Sequence, residues 1–192
     1  MFESEREQHQ IDGTGARDST NFQYQPVLLF EGSGQASFEI KMVSIPRSSS
    51  SADPSAVEST CRDYGLTEAE FKELHTRCVA AKATAYCPYS QFRVGASLIS
   101  TDGVYFNGAN VENASYPVGT CAERVAFGKA VTEGHRKIKA VAVATDISPA
   151  ASPCGMCRQF IREFCDLTAP IIMFDKDDNY VVMRLEEVSS PC

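Results

Sequence analysis

The stretch TCAERVAFGKAVTEGHRKIKAVAVATDISPAASPCGMCRQF, residues 120 to 160, changes its hydrophobic period twice. A helical pattern begins near Thr120, an apolar strand KAVAVATD follows at 139–146, and a second helix is predicted from Pro153 with Ser152 as its cap. A strand between two helices implies a crossover connection, and with it a sheet that helices cover. The same stretch carries Cys121 and Glu123 at one helix start and Cys154 and Cys157 at the other.

Upstream, LTEAEFKELHTRCVAAKATAY (66–86) opens on Thr67 as N-cap with Glu70 three residues later, a capping box, and its helix is predicted to end before Pro88. FRVGASLIS and GVYFNGANV alternate like strands around Asp102-Gly103, which suits a tight hairpin turn. Downstream, APIIMFD and YVVMRLEEV are separated only by KDDN, too short for a crossover helix, so they are expected to be antiparallel neighbours. From residue 66 the order is αββαβαββ. The fold class is α/β, a three-layer α/β/α arrangement with a mixed five-stranded sheet.

Residues 1–65 differ. They are rich in Ser, Gly, Asp and Pro without sustained periodicity, and are expected to form a poorly ordered extension to a domain at 66–192. Within them, PVLLFEGSGQASFEIKMVSIP suits one or two short strands or a docking segment, and Met42 is a possible internal start.

The 192 residues carry a net charge of -7, so neither nucleic-acid binding nor membrane insertion is indicated. Residues 1–65 hold ten acidic and five basic side chains and the remainder fifteen and thirteen, so neither part is basic. The N-terminus lacks a secretory apolar core and no apolar run reaches ~18 residues, which makes a cytoplasmic location the expectation. Eight cysteines in a reducing compartment point to metal or catalysis for clustered thiols rather than to disulfides.

Cys154 and Cys157, three apart, share a helix face, and Cys121 supplies a third thiolate. Three protein ligands leave the fourth tetrahedral position of a zinc ion open, the arrangement of a catalytic rather than a structural site. Two buried small residues, a redox pair or a structural zinc module are the competing readings. Helix N-termini favour thiolate character. Three thiolates and Zn²⁺ sum to -1, so the cationic Arg124 beside the site would help bound water ionise. Glu123, too close to Cys121 to be a convenient second ligand, fits a general acid/base.

C-A-E followed by P-C-x-x-C resembles the cysteine-only signature of the zinc deaminases. CPYSQFRVGASL, NVENASYPVGTCAER and SPCGMCRQFIREF together resemble cytidine deaminases of the small, homotetrameric, free-nucleoside type, over residues 67 to 190. The resemblance implies one Zn²⁺ per subunit on Cys121, Cys154 and Cys157, with Glu123 shuttling protons and Arg124 hydrogen-bonded to the thiolates. It further implies Phe92 stacked on the pyrimidine, Asn110 and Glu112 on the ribose hydroxyls, and the Ala122 backbone N–H on the base. Amide and carboxylate on alternate strand positions also suit a sugar hydroxyl chemically, although turn chemistry at a strand end explains them as well.

The implied activity is hydrolytic deamination of cytidine and deoxycytidine to uridine and deoxyuridine plus ammonia, in pyrimidine salvage. A homotetramer is implied, with Tyr116 as a candidate contact. Alternatives are a deaminase of nucleic acid or of a nucleoside antibiotic such as blasticidin S, or a non-catalytic zinc-binding module. The family ordinarily continues past EEVSSPC with an aromatic ending that reaches a neighbouring subunit, so weaker substrate binding or a looser tetramer is expected here. Cys61, Cys78, Cys87, Cys165 and Cys192 read as core or surface thiols.

Overall fold

A computed structural model describes residues 22–30, 36–44 and 48–189. The chain divides into two compact units, residues 1–45 and 46–192. In the first, β1 (Phe22–Phe30) and β2 (Ala36–Ser44) pair antiparallel with Phe22 opposite Ser44 and Phe30 opposite Ala36. These are the two strands that the apolar, β-branched composition allows. The expected lack of order in residues 1–65 falls partly outside the described residues, as does Cys192.

The second unit starts earlier than the sequence suggests. β3 (Ser49–Ser50) pairs antiparallel with β8 (Asn179–Arg184), and α1 (Pro54–Tyr64) follows. Asp53 caps α1 by accepting from the backbone N–H groups of Ser55 and Ala56, and Gly65 ends it at φ 68°, a left-handed conformation glycine adopts without strain. Tyr180 and Thr60 share a hydroxyl hydrogen bond of 2.9 Å, and the Tyr64 hydroxyl donates to the Val182 carbonyl at 3.2 Å. These contacts fasten α1 to the sheet. Local reading places this helix in the extension because Ser, Asp and Pro, which here cap and initiate it, also mark loops.

The remaining elements are α2 (Glu68–Ala81), β4 (Val94–Ser100), β5 (Tyr105–Ala109), α3 (Ala122–Thr132), β6 (Ile138–Thr145), α4 (Gly155–Arg162), β7 (Pro170–Phe174), β8 and α5 (Leu185–Ser189). The capping box of α2 is formed: Glu70 N–H donates to the Thr67 hydroxyl and Thr67 N–H to the Glu70 carboxylate. The β4–β5 turn bends at Gly103, φ 85°, with Gly103 N–H donating to the Ser100 carbonyl.

The strand order is β3-β8-β7-β6-β4-β5, with β6 and β7 parallel and every other pair antiparallel. The sheet is mixed and helix-covered, as expected, but has six strands rather than five. The extra strand is a Ser-Ser dipeptide, too short to show alternation. The LEEV end of the last predicted strand instead turns into α5, where Leu185 and Val188 are buried.

Strand alternation divides the core. Ala140, Ala142, Ala144, Ile172 and Phe174 pack under α1 and α2 with Leu66, Phe71, Leu74 and Cys78. Val141, Val143, Ile171 and Met173 face the opposite way, against Ala126, Phe127 and Ala130 of α3, Ile161 of α4 and Leu185 of α5. Small residues admit close packing of helix on sheet. A Cβ on Gly108 of β5 would lie 2.4 Å from the Ala122 carbonyl oxygen and 2.5 Å from the Ala126 nitrogen, so only glycine lets α3 lie where it does. Among the other predicted thiols, Cys61 and Cys78 are buried and Cys87 and Cys165 partly so.

Candidate metal centre and substrate cleft

The starts of α3 and α4 meet at one end of the sheet, and each is capped by a cysteine. Cys121 is the N-cap of α3 and Cys154 that of α4, and neither side chain caps its own helix. The sequence suggests an α4 cap at Ser152 with both cysteines inside the helix. In the structure Pro153 is buried before the cap and Cys154 stands just outside the first turn. Both cysteines therefore stand at the positive end of a helix.

The Sγ atoms of Cys121, Cys154 and Cys157 all lie within 4.8 Å of one another, and those of Cys121 and Cys154 are 3.8 Å apart. A tetrahedron with metal–sulfur bonds of ~2.3 Å has sulfur–sulfur edges of about 3.8 Å, so the cluster fits zinc. Cys157 is fully buried, Cys121 half-buried and Cys154 exposed, which leaves one side of the cluster open. Hydrogen bonding from Cys157, followed by Arg124 and Cys154, lowers the Cys121 thiol to about 5, while the same pairing and burial push Cys157 up.

Arg124 lies one turn along α3. Its Nη2 donates to the Gly119 carbonyl at 3.2 Å and points at Cys121 Sγ at 3.8 Å, while its buried Nε has no hydrogen-bond partner among the described residues. Glu123 is 4% exposed, and burial raises its carboxyl above the ordinary carboxylate range, with the Cys121 charge adding to the shift. A carboxyl held nearer neutrality both takes and returns a proton more readily at physiological pH.

A cleft of ≈ 460 Å³ opens in front of these groups. Its lining includes Phe92, Asn110, Glu112, Cys121, Glu123, Arg124 and Cys154. Cys157 and Ala122 lie behind it and are fully buried. Ala122 is the first residue of α3, where a backbone N–H has no intrahelical acceptor.

Asn110 and Glu112 do not sit on a strand, since β5 ends at Ala109. A bridge between Val111 and both Thr120 and Tyr86 keeps the chain extended past that point. Both side chains also do the turn chemistry that competes with sugar recognition as a reading of the sequence. The Asn110 amide donates to the Phe92 carbonyl and its oxygen accepts from Val94 N–H, both at 2.8 Å. Glu112 accepts from the N–H groups of Tyr89 at 2.9 Å and Ser90 at 3.2 Å; hydrogen bonding, led by Ser90, holds it below the usual carboxylate range. Asn110 keeps one amide hydrogen uncommitted in these contacts, and both backbone donors to Glu112 reach the same oxygen, Oε2. The two residues thus position the Phe92 loop while still facing the cleft.

Sequence reading misses the floor of the cleft, Val94, Val143 and Thr145, together with Ser90 and Met156 at its walls. The alternation of VAVAT carries the floor's signal: Val143 and Thr145 share a face. Tyr116, expected at a subunit contact, is 76% exposed, lines the cleft and packs edge-on against Tyr89.

The profile of the cytidine and deoxycytidylate deaminase zinc-binding region matches residues 69–173. A cytidine deaminase of Sporosarcina psychrophila is 50% identical over 93 residues, 48% of this chain and 68% of that protein. One from Halalkalibacterium halodurans is 49% identical over 87 residues, 45% of this chain and 66% of that protein. The chain thus spans about two thirds of the lengths of these relatives. The crystal structure of cytidine deaminase from Burkholderia pseudomallei superposes with a TM-score of 0.59 at 37% identity, covering 61% of this chain and 94% of that one. With its three-thiol cluster, buried glutamate and helix-covered mixed sheet, this chain belongs to the cytidine and deoxycytidylate deaminase zinc-binding family.

Proposed function

We propose that this protein hydrolyses cytidine and 2′-deoxycytidine to uridine and 2′-deoxyuridine with release of ammonia. The observation that carries the reading is the meeting, in one cleft, of a three-thiol cluster, a buried carboxyl and a half-buried aromatic flanked by an amide and a second carboxylate. Cys121, Cys154 and Cys157 hold one Zn²⁺ per chain. When bound, zinc supplies Lewis-acid chemistry, lowering the pKa of water from 15.7 to about 7.

The chain's own groups do the rest. Phe92 stacks on the pyrimidine, Asn110 and Glu112 take the ribose hydroxyls, and the Ala122 N–H meets the base. Glu123 accepts one proton from the attacking water and delivers it to N3 as the C4–O bond forms, then takes the remaining hydroxyl proton of that oxygen and passes it to the amine as the C4–N bond breaks and the C4 carbonyl forms. Water and cytidine are thereby converted to uridine and ammonia with no net proton change. Arg124 offsets the excess negative charge of three thiolates.

Residues 66–192 carry this activity, and α1 with β3 completes its sheet edge. A homotetramer agrees with the exposed apolar side chains Tyr89, Tyr116, Val118, Met156 and Phe160. A role in pyrimidine salvage and a cytoplasmic site follow from a free-nucleoside substrate. Among the described residues no helix is long and apolar enough to cross a membrane. Against a nucleic-acid substrate stand the acidic charge balance and the β7–β8 hairpin, in the place where nucleic-acid editors insert a helix.

The test is loss of the cytidine absorbance band on incubation with purified protein, with zinc measured per chain. Turnover with about one zinc per chain supports the reading. Bound zinc without turnover of cytidine or deoxycytidine refutes it and favours a zinc-stabilised binding module.

A further inference from the structure

The floor of the cleft contains a polar group to which the proposed mechanism gives no role. β6 ends at Thr145, and strand alternation puts its side chain on the face of Val141 and Val143, beneath α3 and α4. Thr145 is 2% exposed and lines the cleft together with Val143 and Glu123. Its Oγ1 is buried and has no hydrogen-bond partner among the described residues.

Other buried hydroxyls on this sheet are treated differently. Ser97 Oγ donates to Asn107 Oδ1 at 2.9 Å, and Ser100 Oγ to the Val104 carbonyl at 3.0 Å. A buried hydroxyl without a partner loses its hydration for no return, so such groups are rare in folded proteins unless something else supplies the bond.

The surroundings of Thr145 hold it firmly. It is paired with Val94 of β4, and its carbonyl accepts from Lys82 Nζ at 3.4 Å. The next residue, Asp146, accepts from Lys82 Nζ at 3.2 Å and from Arg93 Nε at 2.8 Å. One carboxylate thus ties the end of β6 to the residue following Phe92. The hydroxyl is presented from a fixed backbone, so its partner must come to it.

We propose that the Thr145 hydroxyl is a substrate-binding group that hydrogen-bonds the pyrimidine ring of a nucleoside in this cleft. The inference rests on the nucleoside reading given above. Position favours base over sugar: Asn110 and Glu112 stand on the loop beyond β5, whereas Thr145 lies on the sheet floor with Val94 and Val143, in the lining that also holds Glu123. A hydroxyl both accepts and donates, and so suits a ring whose edge changes from an amino donor to an oxo acceptor during the reaction.

The experiment uses the zinc-loaded full chain and the substitutions Thr145→Val, nearly isosteric but without the hydroxyl, and Thr145→Ser, which restores it. Cytidine kcat and KM are measured together with melting temperature with and without uridine. Thr145→Val is expected to melt no lower than wild type when free. It should lose roughly ten-fold in kcat/KM and show a smaller uridine-induced rise in melting temperature. Thr145→Ser should recover to within about three-fold of wild type.

Three results overturn the inference: kcat/KM of Thr145→Val within about two-fold of wild type, a lower melting temperature of its free form, which would reveal a partner inside the protein, or a serine variant as impaired as the valine one. A wild-type protein that is stabilised by uridine without turning over cytidine, with the stabilisation reduced in Thr145→Val, separates the two readings. There the deaminase assignment fails and the binding contact stands.

Discussion

Gly108→Ala tests whether the close approach of α3 to β5 sets the geometry of the site. The added Cβ would lie 2.4 Å from the Ala122 carbonyl oxygen and 2.5 Å from the Ala126 nitrogen, both backbone atoms that cannot rotate away. Reaching ordinary contact at roughly 3.4 Å moves the first turn of α3 by about 1 Å. Cys121 caps that turn and Glu123 lies in it, so the thiol and the carboxyl shift together. Misplacement of ~1 Å at a reacting centre costs about 10²-fold in rate, and overpacking of this kind costs ~1–3 kcal/mol of stability. For a chain of this size that is a fall in melting temperature of roughly 2–12 °C. The assay is cytidine turnover by absorbance, with zinc content and thermal denaturation measured on the same preparation. Gly128→Ala is the control on the same helix, where a Cβ meets nothing within 4 Å; there the variant should gain up to ~1 kcal/mol from helix propensity. Wild-type kcat/KM and melting temperature in Gly108→Ala would refute the reasoning.

Glu123→Gln keeps the shape of the side chain but cannot carry the proton; turnover should fall about 10²–10⁴-fold with zinc retained, and full activity would exclude the proposed role. Asp146→Asn weakens the bond to Lys82 and Arg93 and loosens the wall that holds Phe92. It should raise KM a few-fold, about 1 kcal/mol for a partly exposed ion pair, with kcat little changed; a loss confined to kcat would count against it. For Glu70, burial opposes ionisation, but hydrogen bonds from Lys139 at 2.7 and 2.8 Å and from Thr67 prevail and hold the carboxyl below its ordinary 4.5. Because the folded value is the lower one, this stability is present above pH 4.5 and is lost as pH falls through the folded value. Glu70→Gln should therefore melt below wild type near neutrality, with the gap closing as pH falls below 4.5 and through the folded value. A gap independent of pH would show that the carboxylate's charge contributes nothing.

Elements with a local signal are legible in the residues alone. The capping box at Thr67 and Glu70, the Asp102-Gly103 turn and the short KDDN connection each fix a backbone conformation through neighbouring residues, and each is present in the structure. The two cysteine clusters at helix starts are legible because the change of period beside them marks where a helix begins. Capping is where local reading slips. By residue type Ser152 is a better cap than Cys154, yet the chain buries Pro153 and starts the helix one residue after Cys154.

Whatever depends on residues far apart in the chain is settled only by packing. That three thiols converge within 4.8 Å, and that Glu123 is buried beside them, follows from how α3 and α4 pack on the sheet. That packing in turn depends on Gly108 admitting the α3 backbone. The attachment of α1 through Thr60 and Tyr180, 120 positions apart, has no local signature either. The same holds for Thr145, which reads as one more β-branched residue in an apolar strand. Its unpaired hydroxyl emerges only when the partners around it are known, because a hydrogen bond is a relation between two positions and the sequence displays them one at a time.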